Sequence, residues 1–304
     1  MLVKAVVVTY NGLHWIDRCL GSLRDTTVPV ETLVVDNGST DGTVEAIRSR
    51  FPEVELHATG ENLGFGKANN IGLRMALDQG ADHAFLLNQD AWLVPGALAK
   101  LVAAAKVGPQ YGILSPIQLN GTGTALDLVF SHYLGPRFHP KLFSDMTLGL
   151  AGDLTYPVKF VNAAAWLVTR ACLQKVGGFS PSFFHYGEDD NYVHRLHYHG
   201  LQLGVVAGSR IHHDREERVE NPYFDDRSMW NDRKAVVEFS DPQKMLDPGR
   251  QKLFLMRQLG QRLLSAQRSE ARELRERLRA VNALPKDEVL KNRALSMQAG
   301  PSFL

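Results

Sequence analysis

Three acidic positions carry most of the chemistry this chain could perform. Asp36 follows the apolar run Leu33-Val34-Val35. Asp90 closes Asn88-Gln89-Asp90, where four apolar residues, Ala84 to Leu87, stop abruptly. Glu188-Asp189-Asp190 places three carboxylates in a row. Polar side chains at the carboxyl end of a buried strand stand where open α/β sheets hold their ligands. A carboxylate at Asp36 can accept a hydrogen bond from the N3–H of a uracil or thymine ring. Asp90 is a hard oxygen donor, suited to Mg²⁺ or Mn²⁺ with a diphosphate as co-ligand. Clustered carboxylates repel one another, which raises the proton affinity of one and suits a general base. Simple turn chemistry at Asp36 and Asp90, or an acidic helix start at Glu188, would need no ligand at all.

Stepping outward, the elements that must hold these residues follow from hydrophobic pattern. Leu2 to Thr9 reads as a buried strand, ended by Tyr10-Asn11-Gly12. Apolar residues at Leu13, Ile16, Leu20 and Leu23 have helical spacing. Strands are expected over 31–35, 54–58 and 84–87, and helices over 44–50, 68–77 and 98–107. This alternation predicts an α/β fold with a mostly parallel sheet covered by helices. Right-handed crossovers then bring the strand-end loops to one edge. Neither a G-x-G-x-x-G after the first strand nor a G-x-x-x-x-G-K-[ST] is present. Residues 62–70 form an unusual helix entry, with Gly64 and Gly66 permitting close backbone approach and Asn69 and Asn70 at the helix start. Residues 118–157 read as irregular, and 158–168 as one apolar strand.

The chain has 304 residues, 44% hydrophobic and 22% charged, enough for a sizeable core. Its net charge of +1 gives no reason to expect nucleic acid as a partner. The charge is unevenly spread: residues 1–248 carry a net of −6, and residues 249–304 a net of +7. Cys19 and Cys172 stand far apart, in no metal-binding pattern, which suits a reducing compartment. No apolar stretch reaches the ~20 residues needed to span a bilayer, so a soluble cytoplasmic protein is expected. The tail from 251 to 281 reads as basic and helical, with Leu253, Met256, Leu259 and Leu263 forming one stripe. Such a face can pack on its own domain, on a second subunit, or on anionic lipid. His194, His197 and His199 could suggest zinc, but no Cys or H-E-x-x-H accompanies them. His212-His213-Asp214-Arg215 follows another apolar strand.

Four motifs, VVVTYNG, LVVDNGSTDGT, ENLGFGKANNIG and LLNQD, occur in this order over residues 3–90. Together they resemble the family-2 glycosyltransferases, and LLNQD resembles the rhamnosyltransferase branch. The resemblance implies a GT-A fold: a nucleotide-sugar half over about 1–117 and an acceptor half over about 118–248. Residues 249–304 would then be a basic helical extension. It implies donor binding by Thr9, Tyr10, Asn11, Asp36, Asn37, Asn62, Gly64, Lys67, Asn69, Asn88, Gln89 and Asp90. One departure stands out, since the family's D-x-D is Asn88-Gln89-Asp90 here. Asp90 is left as the main carboxylate for Mg²⁺ or Mn²⁺, helped by Asn88 and a histidine, His213 in preference to His212. By position the catalytic base is Asp189, flanked by Glu188 and Asp190. The order Asp190-Asn191 reverses the N-D often seen in relatives.

The expected activity is inverting transfer of a sugar, L-rhamnose from dTDP-L-rhamnose, to a saccharide or lipid-linked saccharide in cell-surface polysaccharide synthesis. Two rival readings are a UDP-hexose or UDP-N-acetylhexosamine donor on the same fold, and a degenerate nucleotide-sugar-binding scaffold. The tail could provide peripheral membrane contact at the inner face, or a homo-oligomer contact.

Overall fold

The computed structural model describes residues 1–215 and 226–304. A parallel block comes first. Its strands are β1 (Val3–Thr9), β2 (Val30–Asp36), β3 (Glu55–Ala58) and β4 (His83–Asn88), in spatial order β3-β2-β1-β4. Crossover helices α1 (Ile16–Arg24), α2 (Thr43–Arg50) and α3 (Phe65–Asp78) join them. Side chains alternate across the sheet, so β1 feeds two cores. Val6 joins Leu33, Leu73, Leu86 and Trp166 on one face. Ala5 and Val7 join Ile16, Leu20, Phe85 and Leu87 on the other. With both faces covered, the inner strands need apolar sequence at their centres, which made them easy to recognise, whereas edge strand β3 is mostly exposed.

Beyond β4 the sheet becomes mixed. After β5 (Ala91–Leu93) and helix α4 (Ala97–Val107) come β6 (Tyr111–Asn120), α5 (Leu128–Tyr133), α6 (Pro140–Thr147) and β7 (Thr155–Val158). Then follow β8 (Ala165–Thr169), α7 (Arg170–Val176), α8 (Glu188–Tyr198) and β9 (Gln202–His213). The order continues β4-β8-β6-β9-β5, with β7 also on β9. β8 is antiparallel to both β4 and β6, whereas β6 and β9 are parallel. Of the strand-like stretch expected over 158–168, Ala165–Val168 lie in β8 and only Val158 lies in β7. β7 pairs with β9 while β8 inserts between β4 and β6, and one straight segment cannot do both. The stretch expected to be irregular, 118–157, holds α5, α6 and most of β7.

Among the described residues, four helices follow: α9 (Arg227–Ser240), α10 (Pro248–Leu264), α11 (Arg268–Ala283) and α12 (Lys286–Ser296). The basic helical extension expected from residue 249 packs in part on α9. Ala235 and Phe239 of α9 share a small core with Ala280, Leu284 and Val289. The chain end then packs against α8 and the turn after α7. The Gly178 N–H donates to the Ser302 carbonyl at 2.8 Å, and the Phe303 ring lies 4.8 Å from the buried Arg195 guanidinium. Among the described residues no helix is long and apolar enough to cross a membrane.

Candidate active site

The amide-rich motifs mostly hold the strand-end loops to one another. Thr9, fully buried, donates from Oγ1 to Asp36 at 2.8 Å, and the Ser39 N–H donates to the other Asp36 oxygen at 3.0 Å. The Ser39 hydroxyl bonds the same carboxylate. A carboxylate offers about four lone-pair positions, so three internal bonds leave Asp36 one to offer a ligand. Asn37 donates to Asn62 at 2.9 Å and accepts from the Leu63 N–H at 2.8 Å, while Asn62 also accepts from the Gly64 N–H. Asn11, with φ +47°, accepts from the Thr40 N–H at 2.9 Å. Gln89 uses both ends of its amide on the Tyr10 backbone, at 2.9 and 3.1 Å. Asn69 is buried and donates to the Phe65 carbonyl of its own helix. Tyr10 and Lys67 remain exposed at this edge.

Gly64 serves a contact that its motif did not reveal. Its φ is +83°, and a Cβ there would lie 2.2 Å from the Phe184 carbonyl oxygen. The loop before α8 thus sits directly on the N-terminus of α3, where the Phe65 N–H donates to Phe184 O at 3.2 Å. Asn70 clamps the same junction, donating to Phe179 O and accepting from Phe179 N–H. The donor-side loop and the loop carrying the acidic run are in contact.

Asp90 lies in the two-residue turn between β4 and β5. β5 pairs antiparallel with the end of β9, Ala91 opposite His213, and the Asp214 N–H donates to Asp90 O at 2.9 Å. This pairing brings two distant sequence motifs together. His213 Nε2 lies 3.5 Å from Asp90 Oδ1, and its Nδ1 lies 3.3 Å from Asp127 Oδ2. Arg215 Nε is 2.7 Å from the same Asp127 oxygen. Burial favours the protonated Asp127. Hydrogen bonding from His213 and Phe130 N–H and the Arg215 charge outweigh it and hold the carboxyl at about 2. His213 is thus gripped through one nitrogen by a carboxylate while the other faces Asp90, the arrangement common around metal-binding histidines.

Strand alternation sends His212 to the opposite side. Its ring stacks on Trp92 at 5.2 Å and 9°, so the structure brings His213, and not His212, to Asp90. Asn88 is fixed through its backbone, whose N–H donates to Ala164 O at 2.9 Å. Among the described residues no three His, Cys, Asp or Glu side chains form a complete metal cage. A buried carboxylate oxygen and an imidazole nitrogen nevertheless fit a divalent cation whose remaining ligands are phosphate oxygens and water. Asp127 and Arg215 were not singled out by sequence. The stretch around Asp127 has no periodicity, and its one local signal was a helix N-cap, which it fulfils for α5 through the Phe130 N–H at 2.8 Å.

Glu188, Asp189 and Asp190 form the first turn of α8, after Tyr186 and Gly187 with φ of +65° and +92°. Burial and then the Asp189 charge push Glu188 well above the usual carboxylate range. Burial likewise raises Asp189, against N–H groups of Asp190 and Ala163 and the Arg215 charge. Burial and the Asp189 charge lift Asp190 to about 7. The Tyr133 hydroxyl, pushed to about 12 by burial and by Asp189 and Asp190, faces the same cluster. Glu188 is buried, whereas Asp189 and Asp190 keep part of their surface open. Arg215 pairs with Asp127, and its charge also favours ionised Asp189.

Comparison with known proteins accords with this geometry. The sequence profile of Glycosyl transferase family 2 matches residues 5–161. The N-acetylglucosaminyl-diphospho-decaprenol L-rhamnosyltransferase of Mycobacterium tuberculosis is 30% identical over 249 residues, covering 73% of this chain and 79% of the relative. Among solved structures, S. aureus TarS 1–349 matches with a TM-score of 0.56 at 15% identity, covering 81% of this chain and 66% of that one. The mannosyltransferase PcManGT from Pyrobaculum calidifontis, solved with GDP-Man and Mn²⁺, matches with 0.54 at 19% identity, covering 97% and 73%. At these identities the structural likeness establishes the fold.

Proposed function

The chain belongs to glycosyltransferase family 2, a hexosyltransferase with the GT-A fold, and from that premise we propose that it transfers L-rhamnose from dTDP-L-rhamnose to a hydroxyl of a lipid-linked saccharide, with inversion. The observation that carries the reading is the convergence of Asp36, the Asp90–His213 pair and the Asp189 turn on one edge of the sheet. The 30% identical mycobacterial L-rhamnosyltransferase supports the choice of sugar and of a lipid-linked acceptor. A peripheral position at the inner face of a membrane fits that acceptor.

In this reading Asp36 uses its remaining lone pair on the N3–H of thymine. Thr9 and Ser39 fix its orientation beforehand. Asn11, Asn37, Asn62 and Gln89 hold the loop backbones in place, which limits the ordering cost when the donor binds. Asp90 and His213 would hold Mg²⁺ or Mn²⁺ beside the diphosphate. The cation offsets charge that builds on the departing diphosphate. Asp189 accepts the proton of the acceptor hydroxyl as that oxygen attacks the anomeric carbon. The new C–O bond forms on the face opposite the breaking bond to phosphate, so the configuration inverts. Burial and the Asp189 charge raise the proton affinity of Glu188 well above the usual carboxylate range, so it is poorly suited to carry the basic charge of this coupled set.

A donor-hydrolysis screen with Mn²⁺ tests this. Turnover should be fastest with dTDP-L-rhamnose among dTDP-, UDP- and GDP-sugars. Preferential turnover of a UDP-hexose or UDP-N-acetylhexosamine would replace the donor assignment. Nucleotide binding without turnover of any donor would favour a scaffold.

A further inference from the structure

Helix α10 presents two faces, and only one is used within the molecule. Leu255 is buried and Leu259 half-buried, and both lie toward α11, against which α10 packs. The stripe expected from sequence is split by this packing. Leu253, Met256, Leu263 and Leu264 remain 68%, 50%, 50% and 91% exposed. At about 100° per residue, these four and Gly260 share one arc. Lys252 borders it on one side and Arg250 and Arg257 on the other. α10 contains no acidic residue, and none of these three cations has an ion pair among the described residues.

We propose that this face of α10 docks on an anionic lipid bilayer, with the leucines and Met256 in the acyl boundary and the flanking cations among lipid phosphates. An apolar arc between basic borders is the pattern of helices that lie in a membrane interface. Long basic side chains there can bury their stems while their charges reach the headgroups. Charge also selects against a second copy as the occupant. A two-fold contact sets a face against itself, which would place three unpaired cations opposite three others. The proposal extends the reading of a lipid-linked acceptor, by naming the surface that would bring the enzyme to it. It is measured without donor, acceptor or turnover, so the two can fail separately.

The test is co-sedimentation of the full chain with vesicles of phosphatidylcholine alone or with about one-third phosphatidylglycerol. Binding is expected only to the anionic vesicles, and should fall away in about 1 M salt, where the Debye length shrinks to about 3 Å. Replacing Arg250, Lys252 and Arg257 together with Gln should weaken partitioning on the order of 100-fold, at roughly fivefold per charge. Leu253→Ser with Leu264→Ser should weaken it by at least about tenfold. Both variants should retain native thermal stability and donor hydrolysis, since the altered side chains are exposed and far from the site residues in sequence. Absence of binding to anionic vesicles, equal binding to neutral ones, or indifference to both variants overturns the proposal. Self-association that rises with concentration and is lost in the leucine variant also overturns it, and makes a second copy the occupant.

Discussion

Replacing Asp127 with asparagine separates an orienting role from a structural one. Asp127 caps α5 through the Phe130 N–H at 2.8 Å, and an amide oxygen can keep that bond. What disappears is the negative charge 2.7 Å from Arg215 Nε and 3.3 Å from His213 Nδ1. Leaving a partly buried charged group without its partner costs about 1–3 kcal/mol or more, and the Arg215 side chain, ion-paired to Asp127, is only 22% exposed. Unfolding free energy in Asp127→Asn should therefore fall by about 1–3 kcal/mol. The histidine changes more specifically. With its oxygen on Phe130, the new amide turns its NH₂ toward His213 Nδ1. That favours the tautomer whose proton sits on Nε2, the nitrogen facing Asp90, where it blocks metal ligation. Loss of such a supporting carboxylate typically costs about 10–100-fold in metal affinity. Calorimetric titration of Mn²⁺ with dTDP present reads this directly, and urea unfolding reads stability. Native Mn²⁺ affinity alongside the expected loss of stability would refute the orienting role.

Other outcomes follow from the same geometry. Asp189→Asn should lower kcat by about 10²–10⁴ with donor affinity nearly unchanged; near-normal kcat, with the loss moved to Asp190→Asn, would shift the base by one residue. The folded-state pKa of Asp190 is raised, to about 7, so its contribution to stability is complete below the unfolded value of 3.8 and lost as pH rises through about 7. Asp190→Asn should therefore stabilise the protein increasingly between those limits, and equal unfolding curves for both proteins at pH 5 and pH 8 would contradict that. Gly64→Ala should destabilise by about 1–3 kcal/mol from its backbone alone, since φ +83° with ψ 162° is a region essentially reserved for glycine, with a further cost from the 2.2 Å approach to Phe184 O; an unchanged denaturation midpoint would show that the loop yields freely.

Much of the first half of the molecule was legible in the sequence because its physics is local. The central parts of β1, β2 and β4 are buried on both faces, so each shows a short apolar run, Ala5–Val8, Leu33–Val35 and Ala84–Leu87, that ends where polar residues begin. The motifs at those ends marked Asp36 and Asp90, and the acidic run marked the start of α8. The choice of His213 over His212 was also open to sequence, but only the pairing of β5 with β9 gives its reason. Two adjacent residues on a strand point to opposite faces, so one of the pair had to face Asp90 and the other Trp92. The purpose of the amides was not legible. Side-chain type tells that Asn37, Asn62 and Gln89 can hydrogen-bond, and not that they bond to neighbouring loops.

What the sequence determined by itself was the parallel block, the polar strand ends and the basic amphipathic tail, all set by composition and period along a short stretch of chain. What only the tertiary structure decided was the set of partners across long separations. These include Asp127 beside His213 and Arg215, Gly64 beneath Phe184, and the chain end against Arg195. These contacts depend on which strands lie side by side and on how α3 meets the loop before α8. No local propensity encodes that choice, because the free energy that fixes it comes from burying surfaces far apart in the chain.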